Sequence, residues 1–117
     1  MGNKHQEDDE AMALWEWAQL VPVLRDHLYH PANGGKRNAR EGARLKRMGV
    51  RAGVSDYHLP IARGGYHGLW VELKAGRGKP TVSQVDWLQR MRDAGHDAHV
   101  ATGWIEAKLI IERYLNG

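Results

Sequence analysis

The segment 68–74, Gly-Leu-Trp-Val-Glu-Leu-Lys, has the alternating pattern of a β-strand. Successive side chains of a strand point to opposite faces of a sheet. Three aliphatic residues therefore share one face, and Glu72 and Lys74 share the other with Trp70. The aliphatic face is suited to a hydrophobic core, so we expect the two charged groups to project from the opposite face.

A second extended segment, 54–61, precedes this strand, and Arg63-Gly64-Gly65 between the two has the composition of a hairpin turn. With Gly64 at the tip, Asp56 lies opposite Glu72 on one face. Directly opposed like charges destabilise a sheet. The pair becomes favourable if a divalent cation lies between the carboxylates or if one of them is protonated. The hairpin thus predicts that Asp56, Glu72 and Lys74 converge at one end of a sheet.

The segments around the hairpin predict helices that flank a small mixed sheet. In order, we expect a helix at 7–21 that Pro22 ends or kinks, a brief strand at 28–30, a turn at 33–35, a helix within 36–48 before Gly49, the hairpin, a helix from Ser83 to Ala94 that Gly95 ends, a strand at 99–101 and a helix at 104–115. This order predicts an α/β fold in a single domain that spans residues 1–117.

Composition excludes several classes of protein. Charged residues make up 26% of the 117 residues and hydrophobic residues 42%, which is typical of a globular domain. The absence of cysteine excludes disulfides and cysteine-ligated metal sites and fits a cytoplasmic location. The chain contains no apolar run of about 18 residues, so we expect no membrane span. The polar, acidic start of the chain does not resemble a secretory signal.

Charge is distributed unevenly along the chain, although the net charge is only +3. Segment 36–51 carries seven Lys and Arg residues opposed only by Glu41, whereas 7–10 is four acids in a row. The basic segment indicates a polyanionic partner, with a solvated helix face as the alternative. The cations expected to contact DNA phosphates are Lys36, Arg37, Arg40, Arg44, Arg47, Arg51 and Lys79.

The carboxylates opposed across the hairpin suit a hard divalent cation. Carboxylate oxygens without sulfur ligands favour Mg²⁺ or Mn²⁺. Such an ion activates water and neutralises charge that builds on a phosphate, and the Lys74 ammonium is placed to orient the nucleophile or stabilise the transition state. The alternative is a solvated strand whose acids and lysine are inert.

Five short motifs in this order resemble the PD-(D/E)XK nucleases and, more narrowly, their VRR-NUC branch. The motifs are Gly-Val-Ser-Asp at 53–56, Tyr-His-Gly-Leu at 66–69, Val-Glu-Leu-Lys at 71–74, Ser-Gln at 83–84 and Trp-Leu at 87–88. The resemblance runs from about residue 5 to 115. It implies a restriction-endonuclease-like fold and a Mg²⁺- or Mn²⁺-dependent DNA endonuclease.

The same resemblance assigns roles to individual residues. Asp56 and Glu72 become metal ligands, with the Leu73 carbonyl as a backbone ligand. Lys74 becomes the catalytic lysine, and Gln84 supports the site from the following helix. The serine at position 55 replaces the proline of the superfamily name, and the carboxylate chemistry does not depend on it.

The family also places an acid of the first helix near the metal, and the choice lies between Glu7 and Glu10. The family's helix has a glutamate four residues before a glutamine. That glutamine position is Ala11 here, so Glu7 is the first choice. Glu10 is the alternative because it shares a helix face with Leu14 and Trp17.

Small members of the family resemble homodimeric Holliday-junction resolvases that act in DNA repair. The expected partner is therefore branched DNA such as a four-way junction, with a second copy of the chain, in a bacterial or phage-infected cytoplasm. Two alternatives remain open: a non-catalytic DNA-binding module, and a restriction-type or flap nuclease. His67, beside the hairpin tip, is expected to contact DNA or metal-bound water, or to be structural, and Trp70 to form a wall of the site.

Overall fold

The computed structural model describes residues 4–31 and 38–117. Its elements are α1 (Lys4–Ala18), α2 (Pro22–His27), α3 (Ala39–Arg47), β1 (Tyr57–Leu59), β2 (Leu69–Lys74), α4 (Val82–Asp93), β3 (Asp97–Thr102) and α5 (Trp104–Asn116). The three strands form one mixed sheet, and helices flank it. The predicted α/β fold is therefore confirmed. Within the described ranges, no helix has the length and apolar character needed to cross a membrane.

β2 is the central strand, antiparallel to β1 and parallel to β3. Tyr57 faces Val71 and Leu59 faces Leu69. This is the register predicted from the Gly64 turn, and the ladder stops at Tyr57, one residue before Asp56. β1 is shorter than the predicted strand 54–61, partly because Pro60 has no amide hydrogen to donate to a ladder.

The sheet has a layer of helices on each face. On one face, α1, α2 and α5 enclose the larger core, which contains the aliphatic residues of β2. On the other face, α4 covers a smaller cluster of Trp70, Leu88 and Ala98. All six residues of β2 are buried as a result. Sequence alternation predicts one buried face, whereas the structure buries both, including Glu72 and Lys74.

Two helix boundaries differ from the prediction. α1 ends at Ala18, and Val21 is extended because the residue before a proline avoids the helical region. Pro22 then begins α2. The prediction that Ser83 caps α4 is wrong: the Thr81 hydroxyl accepts from the Gln84 amide, and Gln84 Oε1 accepts from the Thr81 amide. This reciprocal capping box satisfies two amides at the start of the helix.

The remaining short elements follow the prediction in part. The expected strand at 28–30 is a single bridge between Tyr29 and His58, and β3 extends beyond the predicted 99–101 at both ends. The basic helix α3 follows the Asn38 cap, and Gly49 follows it with a φ of +102°. The turn predicted at 33–35 lies outside the described residues.

Candidate active site

The candidate site lies where β2 extends past Tyr57, the first residue of the antiparallel strand β1. Each residue of a strand directs its amide and carbonyl toward the same neighbour, and Leu73 directs both toward the β1 side. β1 begins only at Tyr57, so no β1 residue pairs with Leu73. The Leu73 amide donates instead to Asp56 Oδ2 at 2.7 Å. The short strand therefore fixes the Asp56 carboxylate beside the Leu73 carbonyl.

Glu72 is a buried carboxylate with one unsatisfied oxygen. The residue is 1% exposed, and its Oε2 lies 3.5 Å from Lys74 Nζ. Its Oε1 has no hydrogen-bond partner within the described part of the chain. Burial, and then the Asp56 carboxylate, raise the pKa of Glu72 to about 8 against the opposing effect of Lys74. A buried polar atom without a partner is costly, so Glu72 Oε1 favours a ligand that supplies positive charge.

A cleft of about 570 Å³ opens beside these groups, between α1 and the segment that follows α2. Glu7, Asp56 and Leu73 all line it. The backbone of Gly78 lies between Glu7 and Lys74: a Cβ there would be 3.4 Å from Glu7 Oε2 and 3.8 Å from Lys74 Cδ. Glu7 therefore shares a cleft with Asp56 and a neighbouring backbone with Lys74.

Glu10 has a different environment. Its Oε1 accepts a 2.7 Å hydrogen bond from the Trp104 amide at the start of α5. The N-cap position of α5 is Gly103, which has no side chain to cap the helix. Glu10 thus caps α5 from another helix. A carboxylate at a helix N-terminus is favoured by the helix dipole, so this contact gives Glu10 a structural role.

Comparison with known proteins identifies the family. No family model and no curated protein matches the chain. A solved structure named "VRR_NUC domain protein" matches 95% of this chain and 88% of its own, with 31% sequence identity and a TM-score of 0.84. The chain belongs to the VRR-NUC family. It is a nuclease-type domain that acts on DNA, and the small mixed sheet flanked by helices is the fold of that family.

The donor set of this VRR-NUC domain fits a hard divalent cation that retains water. Among residues 4–31 and 38–117, no three His, Cys, Asp or Glu side chains form a group that could hold a metal ion by themselves. Mg²⁺ does not require such a cage, since it usually takes one or two carboxylates and keeps several waters. Asp56, the unpartnered Glu72 Oε1 and the Leu73 carbonyl supply oxygen donors of this type.

The predicted DNA-binding cations of the VRR-NUC domain are distributed over three segments. Lys36 and Arg37 lie outside the described residues. On α3 the arginines follow a spacing of four and three residues, which places them on one helix face. The described members of the set are all exposed: Arg40, Arg44 and Arg47 on α3, Arg51 after it, and Lys79 in the loop before α4.

Gln84, His67 and Trp70 lie at three different places. The Gln84 amide side chain forms the capping box of α4, and its predicted role in the site stays a prediction. His67 precedes β2 and its ring packs against Gly95, about five residues or ~16 Å of strand from Glu72. The prediction that His67 contacts DNA or metal-bound water, or is structural, stays a prediction. Trp70 is 8% exposed and stacks on His58 with ring centroids 3.9 Å apart.

Sequence analysis missed the aromatic residues that adjoin the site. His30 Nδ1 lies 2.5 Å from the Asp56 carbonyl oxygen, and the Tyr29 hydroxyl lies 2.7 Å from His58 Nδ1. Trp15 lines the same cleft as Asp56. No local signal could reveal these contacts, because His30 and Asp56 are 26 residues apart in sequence and meet only through the sheet bridge at Tyr29.

Proposed function

We propose that this VRR-NUC domain is a divalent-metal-dependent endodeoxyribonuclease. The observation that carries the proposal is the Glu72 carboxyl, buried beside Asp56 and Lys74. Burying an acid of this kind without a complete set of partners costs stability. A site that binds a cation during catalysis gives that arrangement a chemical purpose, and perturbed acids of this type are concentrated in active sites.

Asp56, Glu72 and the Leu73 carbonyl would hold the ion, Mg²⁺ or Mn²⁺, with Glu7 as the acid from the first helix. The cleft position of Glu7 supports it over Glu10, whose carboxylate is already engaged by Trp104. When bound, the ion lowers the pKa of water and neutralises charge on the phosphate. Glu7 would hold the ion directly or through one of the waters that Mg²⁺ usually keeps.

Lys74 supplies the fixed positive charge of the site. Its side chain is only 9% exposed and its ammonium lies 3.5 Å from Glu72 Oε2, so it is held close to the carboxylates. An ammonium there donates a hydrogen bond to the attacking water or to a non-bridging phosphate oxygen. Gln84, at the start of α4, would support the site as a positioning residue.

The substrate we propose is branched DNA, in particular a four-way junction, cut by a homodimer. A domain this small offers little surface for gripping a junction, and a two-fold dimer presents two sites to two strands. The exposed arginines of α3 together with Arg51 and Lys79 would contact phosphates. Such contacts supply affinity and salt dependence, while the branch supplies selectivity.

Cleavage of supercoiled plasmid and of a labelled four-way junction, with Mg²⁺ or Mn²⁺, tests this proposal. We expect the wild type to cut and Lys74→Ala to lose at least about a hundredfold in rate, the scale of losing one electrostatic contact to the transition state. Lys108→Ala is the matched control, since Lys108 lies over the Trp17 ring on the α5 side. Equal rates for wild type and Lys74→Ala would reject the mechanism.

Two further measurements separate the alternatives. DNA binding without cleavage in any metal would support a non-catalytic DNA-binding module. A panel of linear duplex, flap and four-way-junction substrates distinguishes a junction resolvase from a flap or restriction-type nuclease. Sedimentation of the protein alone and on a junction tests the homodimer.

A further inference from the structure

The cleft that contains Asp56 also carries an exposed aromatic surface. On α1, Met12 and Trp15 are 57% and 38% exposed, and across the cleft Tyr29 is 43% exposed. Large apolar side chains that stay exposed in a concave site usually mark a binding surface. We call Trp15, Tyr29 and His30 the aromatic wall.

Two members of the aromatic wall are fixed by hydrogen bonds before any ligand arrives. Tyr29 is held by His58 Nδ1 at 2.7 Å. His30 is held by the Asp56 carbonyl at 2.5 Å, and its ring lies 5.6 Å from that of Tyr57. Rings held in this way lose little conformational entropy on binding. His30 also ties the wall directly to the backbone of a proposed metal ligand.

The charges on the α1 side of the cleft limit what can enter it. Asp8 and Glu16 line the cleft beside Trp15, so a phosphate there would meet like charge. A nucleobase carries no charge, stacks on aromatic rings and presents exocyclic amino donors to carboxylates. The volume of about 570 Å³ lies in the range of about 300–1,000 Å³ for small-ligand sites.

We propose that the aromatic wall is a subsite for one unpaired nucleobase adjacent to the scissile phosphate, with Trp15 as the stacking residue. The inference rests on the proposed nuclease function and adds the substrate feature that the cleft recognises. A base inside an intact duplex does not expose its face for stacking. The domain therefore cuts next to an unpaired nucleotide, as occurs at a branch or in a single-stranded region.

Binding, rather than cleavage, tests this subsite independently of the nuclease activity. The protein is Lys74→Ala, and the probe is a branched DNA that carries either a normal nucleotide or an abasic nucleotide at each position next to the branch. We expect one abasic position to weaken binding by about 5- to 160-fold, which corresponds to the loss of one stacked base at about 1–3 kcal/mol. Trp15→Ala in the same background should weaken binding of the normal DNA by a similar factor.

The two losses should not add, because both remove the same contact. Trp15→Phe should retain most of the discrimination, which guards against a folding defect in the alanine variant. Leu109→Ala is the control, since Leu109 is an exposed apolar residue (53%) on α5. A 2-aminopurine at the sensitive position should lose fluorescence on binding, and Trp15→Ala should abolish that loss.

Equal affinity for normal and abasic DNA at every position would overturn the subsite. So would unchanged discrimination in Trp15→Ala, or a Trp15→Ala effect confined to self-association, which would identify the cleft as an interface between copies. Failure of the nuclease proposal has a different signature. The wild type would then cut nothing in any metal, while Lys74→Ala still discriminated normal from abasic DNA.

Discussion

Replacing Glu72 with glutamine should abolish cleavage and, at alkaline pH, make the metal-free protein more stable relative to the wild type. Gln keeps the shape of the side chain and cannot ionise. In the wild type the folded state holds a proton on Glu72 that the unfolded chain releases, since burial and Asp56 raise the pKa of the carboxyl from 4.5 to about 8. The variant removes this difference between the two states.

The sign of the effect follows from proton binding. Between pH 4.5 and about 8, the folded state binds more protons at Glu72 than the unfolded state does. The free energy of unfolding therefore falls as pH rises through this window, by at most about 1.4 kcal/mol per pH unit. That sets an upper limit of about 5 kcal/mol, and relaxation and water penetration reduce the expected fall to about 2–4 kcal/mol. Below this window Glu72 is protonated in both states, so it makes no pH-dependent contribution to the free energy of unfolding.

Urea unfolding in a chelator, compared at about pH 5 and about pH 8.5, measures this difference. We expect Glu72→Gln to lose the fall of about 2–4 kcal/mol, whereas Glu112→Gln, an exposed acid of α5, should behave like the wild type. Adding Mn²⁺ or Mg²⁺ at about 100 times its Kd should stabilise the wild type by about 2.7 kcal/mol and leave Glu72→Gln unchanged. If the free energy of unfolding changed with pH in the same way for wild type and Glu72→Gln, the argument that Glu72 is buried at an energetic cost would be refuted.

Five other substitutions test the scaffold and the DNA surface. Gly53→Ala should destabilise by about 3 kcal/mol or more in thermal unfolding, because φ is +89° and its Cβ would lie 2.4 Å from the Ser83 carbonyl oxygen. Gly42→Ala, in open space on a helix, should stabilise by about 0.5–1 kcal/mol. Thr81→Ala should cost about 1 kcal/mol in urea unfolding, and Ser83→Ala less than about 0.5 kcal/mol, since only Thr81 caps α4. Arg44→Ala should make the negative slope of log K against log salt shallower by about 0.9 in a DNA-binding titration, if Arg44 contacts one phosphate. An unchanged slope would show that Arg44 is not part of the DNA-binding surface.

The hairpin could be predicted in detail because its signals are local. Two glycines at the tip set the turn, strand alternation sets the faces, and together they fix the register that brings Asp56 opposite Glu72. Side-chain period is two, so an error of one residue would have placed Asp56 on the other face. The correct register therefore brought the two acids close together.

Burial of the charged face could not be predicted in the same way. Sequence alternation in 69–74 indicates one apolar face, yet α4 packs on Trp70 of the opposite face, and Glu72 and Lys74 on that face are buried too. Which helix covers a face depends on the path of the chain between strands. The different environments of Glu7 and Glu10 could not be predicted for the same reason. The amide that donates to Glu10 belongs to Trp104, which is 94 residues away in sequence.

The site depends on the shortness of β1. If β1 also paired on the N-terminal side of Tyr57, one of its backbone carbonyls would accept the hydrogen bond from the Leu73 amide, as in the ladder at Val71. The backbone instead leaves the sheet at Asp56. Only the Asp56 side chain reaches Leu73, and its carboxylate accepts the hydrogen bond from the Leu73 amide. One unpaired step of the ladder thus leaves Leu73 and the Asp56 carboxylate at a cleft, with Glu72 buried behind them, while β2 stays paired with β3 along its whole length. The central strand is paired along its length, and the short edge strand leaves the Asp56 carboxylate lining the cleft, from which a cation and a phosphate would approach. Any change that extends β1 toward residue 54 should close the site without disturbing the core.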